Sequence, residues 1–126
     1  MSIVTEKRLK DRSGSVCEIS GSDENLVVYI VEPKTEAIPE NCILITKQLR
    51  DQIENKDLMN ATDWRGLSDS MWNENLPVQI VSWRMLARLK NHDLLEMMYL
   101  DEDALEWAKA TGEDEDEEGK IIHKDS

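Results

Sequence analysis

The chain has no phenylalanine and only five glycines, three prolines and two cysteines among 126 residues. The glycines are scattered, so no glycine-rich loop is present to cradle a phosphate. Cys17 and Cys42 allow one disulfide at most, and in a reducing compartment they are free thiols. His92 and His123 stand far apart, with no Gly-x-Ser-x-Gly or His-Glu-x-x-His pattern beside them, so no catalytic set is legible and the chain is not expected to be an enzyme. No stretch approaches the roughly 20 apolar residues of a membrane-spanning helix. The opening MSIVTEKRLK is charged where a signal peptide has its apolar stretch, which points to a cytoplasmic protein. Bases are also scarce: 15 Lys and Arg stand against 27 Asp and Glu, a formal net charge of −12. That balance argues against a general nucleic-acid binder, which needs a basic face, and against an anionic membrane surface.

A hydrophobic share of 40% and a charged share of 33% fit one folded domain with a modest core. The acidity is concentrated: residues 101–118 hold ten acids and one base, and the remainder holds 17 acids and 14 bases, a net of −3. The charge veto on partners therefore falls on the tail more than on the body.

Along the chain, a first helix is expected over residues 2–12 with a partial stripe of Val4, Arg8 and Leu9, closed by Gly14. Residues 15–25 read as a tight knuckle. The β-branched run at residues 26–31, ended by Pro33, and the shorter run at residues 42–45 read as two strands of a small antiparallel ribbon, too small to stand without packing. Thr46 is placed to cap a helix carrying Leu49 and Ile53. A second helix is expected after Thr62 or Asp63, with Trp64, Leu67, Met71 and Trp72 on its apolar face. Pro77 opens a third, whose apolar positions spread so widely that burial on more than one side is expected. A short helix around Leu94–Leu100 and a last one introduced by Asp103 and Glu106 as a capping box, ending at Gly112, complete the body. The run at residues 113–118 is a low-complexity acidic linker.

Several stretches, in order and spanning nearly the whole chain, resemble the PhnA-like proteins, named after the alkylphosphonate utilisation operon. They are RSGSVCEISG at residues 12–21, LVVY at 26–29, QIEN at 52–55, WRGLSDSMW at 64–72, PVQIVSWRML at 77–86, DLLEMMYLD at 93–101 and IIHKDS at 121–126. The resemblance implies an α+β fold: a zinc-ribbon-like β head over residues 1–55, packed on a mainly helical body over 56–112. An acidic linker over 113–120 and the start of a C-terminal SH3-like barrel at 121–126 would follow, the rest of the barrel being either cut away, the favoured expectation, or lacking in this member. It also implies zinc, but the family's ligand positions fall here on Cys17, Ser20, Thr46 and Leu49, so three of four ligands are lost. Tetrahedral zinc needs thiolates or imidazoles. No cofactor is therefore expected, and the head should close by packing of Val16, Ile19, Leu26, Val28, Ile30, Ile43, Ile45 and Leu49.

Other patterns have simpler readings. Residues 114–125 match the spacing of a calcium loop, as acidic runs often do by chance; a solvated linker is the plainer reading. Arg84, Arg88 and Lys90, with Arg65, form a possible anion or partner surface, or else a solvated helix face paired with Glu. Trp64, Trp72, Trp83 and Trp107 read as core. The functional expectation is a non-enzymatic interaction or scaffold module with an unknown protein partner. The alternatives are small-anion (phosphonate or phosphate) binding or a metabolic enzyme, and then a nucleic-acid-binding ribbon.

Overall fold

A computed structural model describes residues 3–113. It is an α+β fold, with a two-stranded antiparallel sheet and helices on both of its faces. None of its helices is long and apolar enough to cross a membrane. The acidic run from residue 114, the calcium-loop spacing, His123 and the expected start of a barrel lie outside the described residues.

Helix α1 (Ile3–Ser13) is tied internally by exposed Glu6–Lys10 and Lys7–Asp11 pairs at four-residue spacing. Its inward face is not the expected Val4 stripe: Val4 is exposed, whereas Thr5 and Leu9 are buried, and the Thr5 hydroxyl donates to the Ala37 carbonyl. Gly14, at φ +76°, turns the chain out of the helix, and Ser15 N–H closes on the Lys10 carbonyl at 2.8 Å.

Strand β1 (Leu26–Ile30) pairs with β2 (Cys42–Thr46) in the register Leu26↔Thr46, Val28↔Leu44 and Ile30↔Cys42. Alternation along β2 sends Cys42 and Leu44 toward Leu9 of α1, and Ile43 and Ile45 toward the helical body. The strand is therefore buried on both faces, which supplies the packing that so small a ribbon needs. Ile19, Ile43, Ile45 and Leu49 are buried as expected; Leu26, Val28 and Ile30 remain half-covered, because β1 is the outer member of the pair, and so does Val16 in the loop after α1.

Thr46 caps α2 (Lys47–Glu54), its hydroxyl accepting from Leu49 N–H at 3.2 Å. The next helix differs from expectation. A 3-10 turn at Ala61–Trp64, capped by Asn60 rather than by Thr62 or Asp63, leads into the four-residue α3 (Leu67–Ser70). Asn60 Oδ1 reaches Thr62 N–H at 3.1 Å, and the tighter winding rotates the face: Trp64, Leu67 and Met71 point in, while Trp72 is 56% exposed.

Helix α4 (Leu76–Arg88) begins with Pro77 in its first turn and buries ten of its side chains, from Pro77 to Ala87. It is the axle of the molecule, meeting β2, α3, α5 (His92–Met97) and α6 (Glu102–Lys109). Helix α6 is capped by Asp101, two residues before the expected capping box, through its carboxylate to Ala104 N–H at 2.8 Å. Asp103 stands in the first turn, where its charge suits the helix dipole. One continuous apolar cluster runs from Cys17, Ile19 and Ile43 of the N-terminal stretch through Trp64, Ile80 and Leu86 to Ala108.

Candidate functional site

Of the four positions where the resemblance puts zinc ligands, three share one groove and the fourth is hydrogen-bonded to one of them. Ser20, Thr46 and Leu49 line one groove of about 480 Å³ together with Asp63, Arg65 and Asp69. Cys17 lies against it, its sulfur accepting from Ser20 N–H at 3.2 Å within a knuckle that Cys17 N–H closes on the Ser22 carbonyl at 2.7 Å. Their chemistry does not fit a metal ion. The Thr46 hydroxyl is spent on the helix cap, the Ser20 hydroxyl accepts from Ser22 N–H, and Leu49 is a buried aliphatic. Cys42 faces the opposite side of the sheet, in the Leu9–Leu44 cluster, so it cannot join Cys17. Burial pushes its thiol upward, away from the thiolate a metal needs, with the Arg12 charge opposing the shift. His92 is exposed at the start of α5. Among the described residues no three His, Cys, Asp or Glu side chains group as ligands.

What holds the knuckle is an ion pair that the sequence reading missed. Arg12 grips Glu18 through two hydrogen bonds of 2.8 Å, and Glu18 sits almost wholly out of solvent. The same carboxylate accepts Leu44 N–H, while the Arg12 guanidinium also donates to the Pro39 and Cys42 carbonyls. Helix α1, the knuckle and β2 are thereby tied at one point.

The arginines proposed as an anion or partner surface divide. Arg65 is exposed on the knuckle groove, away from the other two. Arg84 and Arg88 are not the solvated face that helical spacing allowed. Arg88 donates to the Gln52 and Ile53 carbonyls at 2.8 and 3.0 Å, satisfying the last turn of α2, and forms a fork with Glu113 at 3.1 and 2.6 Å. Arg84 donates to the Ala108 and Trp107 carbonyls at 3.1 and 2.5 Å, at the end of α6, and to the Glu32 carbonyl at 2.6 Å. Both therefore anchor other helices to α4, and carbonyl groups remote in sequence take the place of solvent.

Arg84 keeps something in reserve. It is 4% exposed, yet among the described residues it forms no ion pair, and its Nη1 has no hydrogen-bond partner. No buried side-chain nitrogen lacks a partner among those residues, so Nη1 retains access to open space. Arg84 also lines a cleft of about 280 Å³ with Tyr29, Ile53, Met85 and Thr111, together with the exposed Glu32 and Glu54 and the Arg88–Glu113 pair. Tyr29 sends its ring from β1 toward this cleft, and its hydroxyl makes no hydrogen bond among the described residues. Burial, with the Glu32 charge assisting, pushes the phenol up to about 12, so it remains a neutral donor at ordinary pH. Burial likewise lowers Arg84 from its usual value, with Tyr29 and Glu113 opposing the shift. Sequence reasoning missed Tyr29, although strand alternation with Val27 places it on the body-facing side.

The tryptophans also divide. Trp64 is buried with its indole N–H on Gln52 Oε1 at 2.8 Å, and Trp83 is buried on α4. Trp107 is half-covered, donates to the Glu32 carbonyl at 3.1 Å and lies 5.0 Å beneath the Lys34 ammonium. None of them lines the Arg84 cleft.

No family model matches the chain, and no curated protein or solved structure is similar to it.

Proposed function

We propose that the chain is a binding protein for a small oxyanion, held in the cleft by Arg84 and Tyr29. One observation carries this reading: a guanidinium 4% exposed, in no ion pair among the described residues and with one nitrogen outside any hydrogen bond there, lines a cleft that also holds an unpaired neutral hydroxyl. A buried charge costs several kcal/mol unless it is compensated. Three backbone carbonyls supply part of that compensation here, and an anion on Nη1 supplies the rest. A guanidinium N–H and a phenol O–H lining one cleft suit a carboxylate or phosphoryl group, and bonds to a charged acceptor are the stronger ones. The reading is of binding without turnover, in keeping with the guanidinium and phenol donors that line the cleft.

Kinship with PhnA-like proteins belongs to the same proposal. It is supported by the convergence of Ser20, Thr46 and Leu49 on one groove beside Cys17, in a chain whose own residues would hold no zinc there. The family's association with alkylphosphonates makes methylphosphonate a suitable probe alongside phosphate and propionate. Calorimetric titration of the full chain at low ionic strength is the test. Saturable heat from at least one of these anions, lost in Tyr29→Phe, supports the reading; no heat from any of the three refutes it.

The expected interaction module is a second reading, favoured by the outward placement of Trp72 and Tyr99, 56% and 87% exposed. Exposed aromatics of this kind anchor protein interfaces, here with a second copy as the simplest partner. Sedimentation over a concentration series tests it: association abolished by Trp72→Ser supports it, and a monomer throughout opposes it.

A further inference from the structure

The charges around the cleft are arranged in depth. At the inner end Arg84 is buried and has no ion-pair partner among the described residues. Its neighbour Arg88 contributes little free charge, because Glu113 neutralises it through a two-point fork in which both side chains are at most 10% exposed. At the mouth, Glu32 and Glu54 are exposed, line the same cleft and make no ion pair among the described residues. Tyr29 stands within the electrostatic reach of all three of Arg84, Glu32 and Glu54.

A ligand that is only an anion gains at Arg84 but is repelled by two carboxylates as it enters, and a dianion more so. A ligand that is only a cation meets the mouth but cannot be placed beside Arg84. A molecule with an oxyanion at one end and an ammonium at the other satisfies both ends. The volume of about 280 Å³ lies at or below the lower limit of pockets that take drug-sized ligands, roughly 300–1,000 Å³, and so suits a molecule of few atoms.

Resting on the oxyanion reading of this cleft, we infer that its ligand is a small zwitterion of the amino-acid type, its oxyanion on Arg84 Nη1 and the Tyr29 hydroxyl and its ammonium facing Glu32 and Glu54. The mouth carboxylates are then specificity-determining, and Arg84 and Tyr29 supply the common anchor. Because Glu32 and Glu54 are exposed, their contribution is screened by salt, whereas that of Arg84 is not.

The test compares β-alanine, propionate and propylamine by calorimetric titration of the full chain at low ionic strength, in the wild type, in Tyr29→Phe and in the double variant Glu32→Gln/Glu54→Gln. The expected result is that β-alanine binds about fivefold more tightly than propionate, the gain expected of one partly exposed ion pair. Propylamine should give no saturable heat. The double variant should bring β-alanine and propionate to equal affinity, and Tyr29→Phe should weaken both by about tenfold. Equal affinities in the wild type, or a preference that survives the double substitution, overturns the zwitterion inference and leaves the oxyanion reading standing. No binding by any of the three compounds overturns both.

Discussion

Arg12 and Glu18 meet through two parallel hydrogen bonds, each 2.8 Å long, at the point where α1, the knuckle and β2 come together. Glu18 also takes part in the sheet, since its carboxylate accepts Leu44 N–H and its own N–H donates to the Leu44 carbonyl at 2.8 Å. A charged side chain thus holds in register a segment that the resemblance would have clipped with metal. Removing one member leaves the other charge buried, the costliest of the simple substitutions. Glu18→Ala should lower stability by about 3–5 kcal/mol in urea unfolding. A loss below about 1 kcal/mol would show the pair to be only ornamental surface charge.

The metal-free closure has its own check. Protein purified without added metal should show the same thermal midpoint with and without a strong chelator, and elemental analysis should find no stoichiometric zinc. The physical reason is the donor set: one thiol, two hydroxyls already hydrogen-bonded and one leucine. A chelator-induced fall in the midpoint would contradict this.

Gly66 marks the contact between the knuckle and the helical body. A Cβ there would sit 2.3 Å from the Ile19 carbonyl oxygen, a backbone atom that cannot swing aside. Gly66→Ala should destabilise the fold by roughly 1–3 kcal/mol, the usual cost of overpacking, at a helix N-cap where alanine is also the poorer residue. Unchanged stability would mean that the knuckle is free to move away from α3.

Gln52 is the polar hub of the core. Its Oε1 accepts from the Trp64 indole and from Asn60 N–H, both at 2.8 Å, and its amide donates to Asp63 at 2.8 Å. Gln52→Leu keeps the bulk but strands two donors, the Trp64 indole N–H and Asn60 N–H, while Asp63 keeps its bond from the Gln48 amide. Thermal unfolding should show a loss of about 2–4 kcal/mol, the sum of two desolvated groups. From the sequence the helix cap is expected at Thr62 or Asp63, and the structure gives Asp63 this tie instead.

Tyr29 links stability to alkaline pH. Its phenol is raised from 10.0 to about 12 in the folded chain by burial. Between those two pH values the unfolded state has already released the proton that the folded state keeps, so stability falls as pH rises through that window and is fully retained below it. Ultraviolet titration should show one tyrosinate appearing only near pH 12, and Tyr29→Phe should flatten the loss of stability in that range. An ordinary titration of both tyrosines would contradict the burial argument.

The local pattern of the sequence carried the elements that depend on near neighbours. The β-branched run before Pro33 gave β1, the Thr46 hydroxyl gave the α2 cap, and Pro77 with its broad apolar spread gave the buried α4. The caps at Asn60 and Asp101 were displaced by two or three residues because several Asx and Thr candidates stand side by side, and packing chooses among them. Trp72 was assigned to the core by helical spacing, and the 3-10 turn before α3 broke that spacing. Long-range partners stayed hidden. Arg84 finds carbonyls 24, 23 and 52 residues away, and nothing in a helical wheel announces them. One signal was available: Arg84 is four residues from Ile80 and lies between Val81 and Met85, inside the helix already expected to be buried on more than one side.

The most direct measurement of the central claim is a crystal structure of the full chain grown with β-alanine. The account predicts one molecule in the cleft, its carboxylate within hydrogen-bond distance of Arg84 Nη1 and the Tyr29 hydroxyl and its ammonium toward Glu32 and Glu54. An empty cleft at saturating ligand, or the ligand seated on the Ser20–Thr46 groove instead, would contradict it.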